Sequence, residues 1–326
     1  MMNNFKLSII IPMYNVEQHL KECVNSVIRQ NLPFEFEIIM VNDGSTDGSL
    51  EKATEIGAGI PQIKIISQVN RGLGGARNAG ITNAAGQYII FLDADDRLAE
   101  SSVAPLLEIA DRKEIDVLEF AAKGITTEGE TVYHFSNATN TAISGIAYYN
   151  RVRYMNSACN KIYSLKFLRS NGLLFREQIF IEDFEFNTRV FAAAQRVVAT
   201  DLLGAYFLQS NNSITRNLDS KKVDKMQDDI IKVIQITADS YKTGSADVES
   251  SSFYRERLGF LNATLFYQLF KRKAPYSEMK QLRSSLIEKG LFFPDFTIHD
   301  KGKELFRRIL IKNLFLYPLV KSVLRS

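Results

Sequence analysis

Short apolar runs alternate with amphipathic segments through the first 110 residues of the chain. The runs have the length and β-branched content of buried strands, and they lie at residues 7–11, 36–41, 63–66 and 88–92. The segments between and after them have apolar residues at helical spacing, at residues 16–28, 47–56, 76–84 and from Ser101. This alternation predicts an α/β fold with a mostly parallel sheet covered by helices on both faces.

The pattern changes twice further along the chain. Between residues 116 and 208 it is less regular, with strand candidates at 117–121, 131–135, 197–200 and 205–208 and helices near Ala147 and at 184–194. After Asn217 it is helical, at residues 223–237, 253–270, 276–287 and from Lys303. We therefore predict an α/β domain over residues 1–216 and a helical C-terminal region over residues 217–326.

Polar clusters follow three of the four predicted N-terminal strands. Tyr14 and Asn15 follow the first, residues 42–46 the second, and residues 93–96 the fourth. Ligands of parallel sheets bind outside the carboxyl ends of the strands. The clusters therefore indicate a binding site at that edge.

The acidic cluster Asp93, Ala94, Asp95 and Asp96 predicts a metal site. Three carboxylates within four residues repel one another unless a cation or solvent compensates them. Mg²⁺ or Mn²⁺ takes one or two protein carboxylates and completes its coordination with substrate phosphates. The alternative is an acidic turn in which Asp95 or Asp96 caps the next helix.

Two further segments carry candidate binding residues. Asp43 lies too early to cap the helix after the second strand, and its carboxylate can accept a hydrogen bond from the N3–H of a uracil. The glycine-rich residues 70–80 do not form a dinucleotide-binding motif, because Arg77 occupies the position of the third glycine. Arg77, one turn into a helix, can instead lie near a bound anion.

Glu182 and Asp183 begin an amphipathic helix. Acids in a first helical turn commonly compensate the helix dipole. The functional alternative is that one of them is a general base for a sugar hydroxyl.

Together these segments resemble the family 2 glycosyltransferases of the GT-A fold. The matching segments are residues 10–15, 41–47, 70–72, 76–78, 92–96 and 182–183, within a resemblance that covers about residues 6–215. The resemblance implies that Tyr14, with Pro12 and Asn15 beside it, packs on the nucleobase, which Asp43 contacts. In the DXD motif it implies that Asp93 meets the ribose and Asp95 the metal and diphosphate.

The resemblance also implies a reaction. It is an inverting, metal-dependent transfer of a hexosyl or N-acetylhexosaminyl unit (EC 2.4 class) from a nucleotide diphosphate sugar, most often a UDP-sugar. Asp183, or less often Glu182, is the base. A loop over the diphosphate is implied at Ser213, Thr215 and Arg216, and the acceptor is implied to be a bacterial polysaccharide or a lipid-linked glycan.

Two other classes stay open at this point. A nucleotidyltransferase would share the sheet and the metal acids, but would carry a glycine-rich loop with a Lys or Arg after the first strand, where this chain has residues 12–15. A sugar-nucleotide-binding protein without activity would lack the base or the DXD motif.

Charge and composition indicate the cellular location of the protein. The net charge of +3 does not favour nucleic-acid binding, and Cys23 and Cys159 are expected to be buried or half-buried free thiols. The sequence has neither the apolar leader of a signal peptide nor the ~20 apolar residues of a membrane span, which predicts a cytoplasmic protein. From residue 301 onward there are seven basic residues and one acid. This tail predicts either a terminal helix packed on its own domain or a peripheral contact with the anionic inner face of the cell membrane.

Overall fold

The computed structural model describes residues 5–152, 155–209, 220–244 and 247–319. Two compact units divide the chain, Met1–Leu218 and Asp219–Ser326. The predicted boundary, between residues 216 and 217, lies beside this division. Within the described residues, both cysteines are free and buried, as expected from the sequence.

The first unit contains a nine-stranded mixed sheet, counted over its described residues. Its strands are β1 (Leu7–Met13), β2 (Phe36–Asn42), β3 (Ile63–Ser67), β4 (Tyr88–Phe91), β5 (Arg97–Leu98), β6 (Val117–Ile125), β7 (Thr131–Phe135), β8 (Lys161–Ser164) and β9 (Val197–Leu208). The strand order is β3-β2-β1-β4-β8-β6-β9-β5, with β7 paired to β6. Its helices are α1 (Leu20–Ile28), α2 (Ser49–Gly57), α3 (Gly72–Asn83), α4 (Val103–Lys113), α5 (Gly145–Arg151), α6 (Leu165–Ser170) and α7 (Glu182–Ala193).

The parallel part of the sheet is the part that the apolar runs predicted. Strands β3, β2, β1 and β4 are parallel neighbours in this order, and the buried residues of β2, β1 and β4 belong to the core. Pro12 falls in β1 beyond the last β1 residue that pairs with β4, so its missing N–H interrupts no hydrogen bond to that strand. The α/β fold and the helical C-terminal region are therefore confirmed.

The second half of the sheet differs from the prediction in two respects. The short strands β5 and β8 were not predicted, and they take part in three antiparallel pairings. With the β6–β7 pair, four of the eight pairings between described strands are antiparallel. The strand candidates at 197–200 and 205–208 are one strand, β9, whose register with β6 shifts near Ala121. Asp201 and Leu202 are exposed at this irregularity, which is why the alternation of polar and apolar residues is interrupted there.

The regular elements in the described residues of the second unit are all helical. Its elements are α8 (Ser220–Gly244), α9 (Val248–Lys271), α10 (Tyr276–Glu288), α11 (Lys301–Phe306), a π-helical turn (Arg307–Ile311) and a 3₁₀ turn (Leu314–Leu316). None of the described helices is long and apolar enough to cross a bilayer.

The basic tail packs on its own unit as far as it is described. The Phe306 ring lies edge-on to Tyr267 with ring centroids 5.3 Å apart. Leu310, Ile311, Leu314 and Tyr317 are buried, and the Tyr317 hydroxyl donates to Ala274 O at 2.6 Å. One side of this stretch therefore packs on its own unit, while Leu305, Ile309, Phe315 and Leu319 are exposed, and Val320 to Ser326 lie outside the described residues.

Candidate active site

The loops after β1, β2 and β3 begin side by side at one edge of the sheet. The last residues of these strands are register neighbours, because Met13 pairs with Asn42 and Asn42 pairs with Ser67. The predicted residues Tyr14 and Asp43 are the next residues along their strands. The parallel register thus places them together, as the pattern of polar clusters indicated.

Asp43 is a buried carboxylate that organises this edge. Its Oδ1 accepts hydrogen bonds from Gln68 Nε2 at 2.6 Å and from the backbone N–H of Arg71 at 2.9 Å. The Tyr14 side chain, in contrast, is 48% exposed. A flat ring open to solvent, at the same edge as a fixed carboxylate, is compatible with the expected nucleobase site.

Asn15 joins the first two loops. Its backbone is left-handed, with φ of 55°, and its Oδ1 accepts from the Thr46 N–H at 2.8 Å. Pro12 and Ala94, by contrast, are buried. Their side chains therefore contribute packing behind the edge and present no surface to a ligand.

The three aspartates of the acidic cluster have different surroundings. Asp93 Oδ1 accepts from Arg77 Nη2 at 2.8 Å, and buried Asp96 accepts from the Leu208 N–H at 2.8 Å. Asp95 is exposed. Partial withdrawal from water raises the pKa of Asp95, and the charge of Asp93 raises it further. Burial, followed by the charges of Asp93 and Asp95, raises the pKa of Asp96 well above its ordinary value.

These features fit a divalent cation at Asp95. Burial is the first cause of both raised pKa values, and repulsion among the aspartates is the second, so a cation beside the cluster would favour the charged carboxylates. Among the described residues, no three His, Cys, Asp or Glu side chains converge to form a complete metal site. One exposed carboxylate is the ligand set expected of an Mg²⁺ or Mn²⁺ ion whose remaining ligands come from a bound diphosphate and water.

Arg77 lies between the DXD motif and the first turn of α7. Its side chain is 1% exposed, and its partners in the fold are carboxylates of the protein. Nη2 donates to Asp93, while Nη1 donates to Asp183 Oδ1 at 2.5 Å and to Glu182 Oε1 at 3.3 Å. Although burial works to lower the pKa of Arg77, the charges of Asp183 and Asp93 raise it. The guanidinium is therefore a fixed cation that joins the DXD motif to the acids of α7.

Glu182 and Asp183 occupy the first turn of α7. Ile181, just before them, has φ of 59°, a strained conformation for a β-branched residue. Asp183 Oδ2 accepts from the Ala158 N–H at 2.9 Å, so each of its oxygens has one fixed donor. Burial, and then the charge of Asp183, raise the pKa of Glu182 to about 7.

The glycine-rich segment serves the close approach of two backbones. A Cβ on Gly74 would lie 2.5 Å from Arg176 O, and Gly72 has φ of 76°. Arg71 then binds Glu177 through two hydrogen bonds, Nε to Oε2 at 2.8 Å and Nη2 to Oε1 at 2.5 Å. The glycines at the start of α3 thus allow the segment before Glu182 to pack closely against that end of α3.

Several residues of this edge were not predicted. Gln68, Arg71 and Glu177 are polar residues whose partners are distant in sequence. Ala158 contributes only a backbone N–H, which no sequence signal distinguishes. Of the predicted residues, Ser213, Thr215 and Arg216 lie outside the described part of the chain.

Comparisons with known proteins agree with this architecture. The family model described as glycosyl transferase family 2 matches residues 8–184. The uncharacterized glycosyltransferase EpsJ of Bacillus subtilis is 34% identical over 217 residues, which are 64% of this chain and 62% of EpsJ. The uncharacterized glycosyltransferase YibD of Escherichia coli is 40% identical over 133 residues, which are 40% of this chain and 38% of YibD. The chain thus covers less than two thirds of either relative.

Solved structures share the fold. The crystal structure of residues 1–349 of Staphylococcus aureus TarS in complex with UDP-GlcNAc superposes with a TM-score of 0.61 at 22% identity, covering 80% of this chain and 82% of that one. In sequence, TarS, a poly(ribitol-phosphate) beta-N-acetylglucosaminyltransferase, is 30% identical over 197 residues, which are 59% of this chain and 33% of TarS. The predicted GT-A fold is confirmed by this likeness.

Proposed function

The chain belongs to glycosyl transferase family 2, and we propose that it transfers a sugar from a nucleotide diphosphate sugar to an acceptor hydroxyl in glycan synthesis. The observation that carries this proposal is the position of Arg77, which binds Asp93 on one side and Glu182 and Asp183 on the other. One buried cation thereby fixes the distance between the donor-binding edge and the candidate base. A sugar-nucleotide-binding protein without activity has no need of that connection.

The proposed donor is a UDP-sugar. Its uracil would lie against the exposed Tyr14 ring, with Asp43 as the fixed polar group beside it, and Asp93 would bind the ribose. Arg77 is assigned to holding Asp93 and the α7 acids and not to the phosphates. A hexosyl or N-acetylhexosaminyl unit is proposed because TarS, which shares the fold of this chain, was crystallised in complex with UDP-GlcNAc.

Asp95 would hold the Mn²⁺ or Mg²⁺ ion. When bound, the cation would neutralise the developing charge of the departing nucleoside diphosphate. Asp93, fixed by Arg77, and Asp96, fixed by the Leu208 N–H, would keep the Asp95 loop in one conformation.

The proposed reaction is a single inverting displacement. The acceptor oxygen forms a bond to the anomeric carbon as the bond from that carbon to the diphosphate oxygen breaks, and the nucleoside diphosphate leaves with the electron pair. Asp183 accepts the proton of the acceptor hydroxyl. The donors from Arg77 and Ala158 each take one lone pair of Asp183, which leaves a lone pair on each oxygen for this transfer.

This function is tested by assaying release of free nucleoside diphosphate with a panel of UDP-sugars in Mn²⁺. We expect UDP release from one or a few of them, stimulated by a glycan acceptor. Release of pyrophosphate from a nucleoside triphosphate and a sugar phosphate would identify a nucleotidyltransferase instead. Nucleotide-sugar binding without release of either product would contradict the proposed transfer.

We further propose that the C-terminal unit contacts an anionic membrane face, where a lipid-linked acceptor would be found. The solvent-facing side of the described tail carries large apolar side chains: Leu305, Ile309, Phe315 and Leu319 are between 43% and 67% exposed. The exposed charged residues between them along the chain, Arg308 and Lys312, are basic, and Lys312 Nζ pairs with the exposed Asp295 at 2.7 Å. Exposed apolar and basic residues along one stretch of the chain suit an interface of anionic headgroups and acyl chains.

A double variant, Ile309→Ser with Phe315→Ser, tests this contact without touching the buried residues of the tail. We expect the wild-type protein to sediment with phosphatidylglycerol vesicles, less so at high salt, and the double variant to remain in the supernatant. Val248, 86% exposed elsewhere on the same unit, provides the matched control as Val248→Ser. Equal sedimentation of all three proteins would contradict a contact through this surface.

A further inference from the structure

A segment without regular secondary structure, residues 155–158, lies directly against the candidate base. Three buried side chains hold its backbone carbonyls. Lys161 Nζ donates to Met155 O at 3.0 Å and to Ser157 O at 2.7 Å, and Asn187 Nδ2 donates to Asn156 O at 3.0 Å. The Tyr163 hydroxyl lies 3.3 Å from Ala158 O.

The same segment presents one N–H to the active site. Ala158 N donates to Asp183 Oδ2, opposite the Arg77 contact on Oδ1. A loop amide has no ladder or helix to fix its direction. Its direction is set by the side chains that hold the neighbouring carbonyls, and Lys161 holds two of them.

Lys161 is an unusual residue to find in this position. Its side chain is 0% exposed and pairs with Glu119, 1% exposed, with Nζ and Oε2 3.2 Å apart. The two residues are register partners on the antiparallel strands β8 and β6. Burial lowers the pKa of Lys161, and the charge of Glu119 opposes that shift. A buried ion pair gives little net stability compared with apolar side chains of the same volume, so stability alone does not account for it.

We propose that Lys161 is a positioning residue for the transfer reaction. By holding the carbonyls of Met155 and Ser157, it directs the Ala158 N–H at Asp183 and keeps the carboxylate oriented towards the acceptor hydroxyl. This inference rests on the proposed function, in which Asp183 is the base.

The test replaces both members of the ion pair, in Lys161→Met with Glu119→Gln, because Lys161→Met alone would leave a buried charge unpaired. The Glu119→Gln side chain keeps an acceptor oxygen for the Tyr148 and Asn137 side chains that bind Glu119. Displacement of reacting groups by about 1 Å lowers rates by roughly 10²-fold. We expect kcat to fall about 10- to 10²-fold, with the donor KM unchanged within about twofold. Glu119→Asp, which keeps both the charge that pairs with Lys161 and the Lys161 hydrogen bonds to the segment, is the matched control and should retain kcat.

A structural role is separated from a positioning role by repeating the replacement in an Asp183→Asn background. If Lys161 acts through Asp183, the double replacement lowers the residual kcat there by less than about twofold, because effects on one group are not additive. Asn187→Ala, which frees Asn156 O without changing the ion pair, should reproduce this dependence if the Lys161 variant fails to fold.

An unchanged kcat in the folded variants, or an equal loss in both backgrounds, would overturn the role of Lys161. Full turnover of Asp183→Asn itself would overturn the base assignment, which is a failure of the proposed function and is distinguishable from the first two results.

Discussion

Asp183→Asn is expected to lower the turnover number by roughly 10² to 10⁴-fold, the usual contribution of a general base. Asparagine has the size and shape of aspartate but cannot accept a proton near neutral pH. Asp183 lies at the start of α7 and contacts Arg77 and Ala158, neither of which is assigned to the donor. Donor affinity should therefore change little. Steady-state kinetics, with UDP binding measured separately by calorimetry, give the two values.

Glu182→Gln is the matched control for this substitution. Since burial raises the pKa of Glu182 to about 7, this carboxyl is largely protonated at pH 6. Glutamine resembles the protonated form, so at pH 6 the variant should keep most of the wild-type turnover. A large loss for Glu182→Gln together with a small one for Asp183→Asn would show that Glu182 is the base. An unfolding temperature near that of the wild type must accompany either result.

Three strands of the parallel part, β1, β2 and β4, were predictable because they are buried on both faces. Such strands appear in the sequence as continuous apolar runs, and β1, β2 and β4 are each flanked by a recognisable helix or turn. Their carboxyl ends align by register, so Tyr14, Asp43 and the acidic cluster could be assigned to one edge without coordinates. The short strands β5 and β8 have two and four residues, too few for a period to be recognised.

The protein partners of Arg77 could not be predicted because they are distant in sequence. Asp93 is 16 residues away, and Glu182 and Asp183 are more than 100 residues away. A glycine-rich segment with an arginine one turn into a helix has the appearance of an anion-binding site. In the fold, the carboxylates of the protein are the anions that contact Arg77. The glycines at the start of α3 are needed because Arg176 O approaches this helix so closely.

The placement of the basic tail could not be predicted from its sequence either. Its sequence alternates apolar and basic residues, a pattern shared by a terminal helix on its own domain and by an interfacial helix. The choice depends on whether another element offers an apolar surface. Tyr267 of α9 contacts Phe306, and Ala274 accepts from Tyr317, so most apolar residues of the described tail are used inside their own unit.

Asp95→Asn is expected to remove the dependence of nucleotide binding on the cation and to abolish detectable transfer. The wild-type protein should bind UDP more tightly in Mn²⁺ or Mg²⁺ than in EDTA, because the cation links Asp95 to the diphosphate. An amide is a much weaker ligand for a hard divalent ion than a carboxylate, so the variant should bind UDP equally in both conditions. Its unfolding temperature should stay near that of the wild type, since the Asp95 side chain is exposed. Calorimetric titration of UDP, with and without the cation, measures the difference.

Asp96→Asn is the control that replaces a neighbouring aspartate of the same cluster by asparagine. Asp96 is buried and accepts from the Leu208 N–H, a bond that the oxygen of an asparagine side chain can keep. If the cation is held by Asp95, this variant retains tighter UDP binding in Mn²⁺, while Asp95→Asn does not. Full transfer in EDTA would show that the reaction needs no divalent ion, and the acidic cluster would then be left with the role of an ordered turn. Loss of the cation effect in both variants would instead assign the ion to the charge of the whole cluster, because each aspartate would then contribute to holding it.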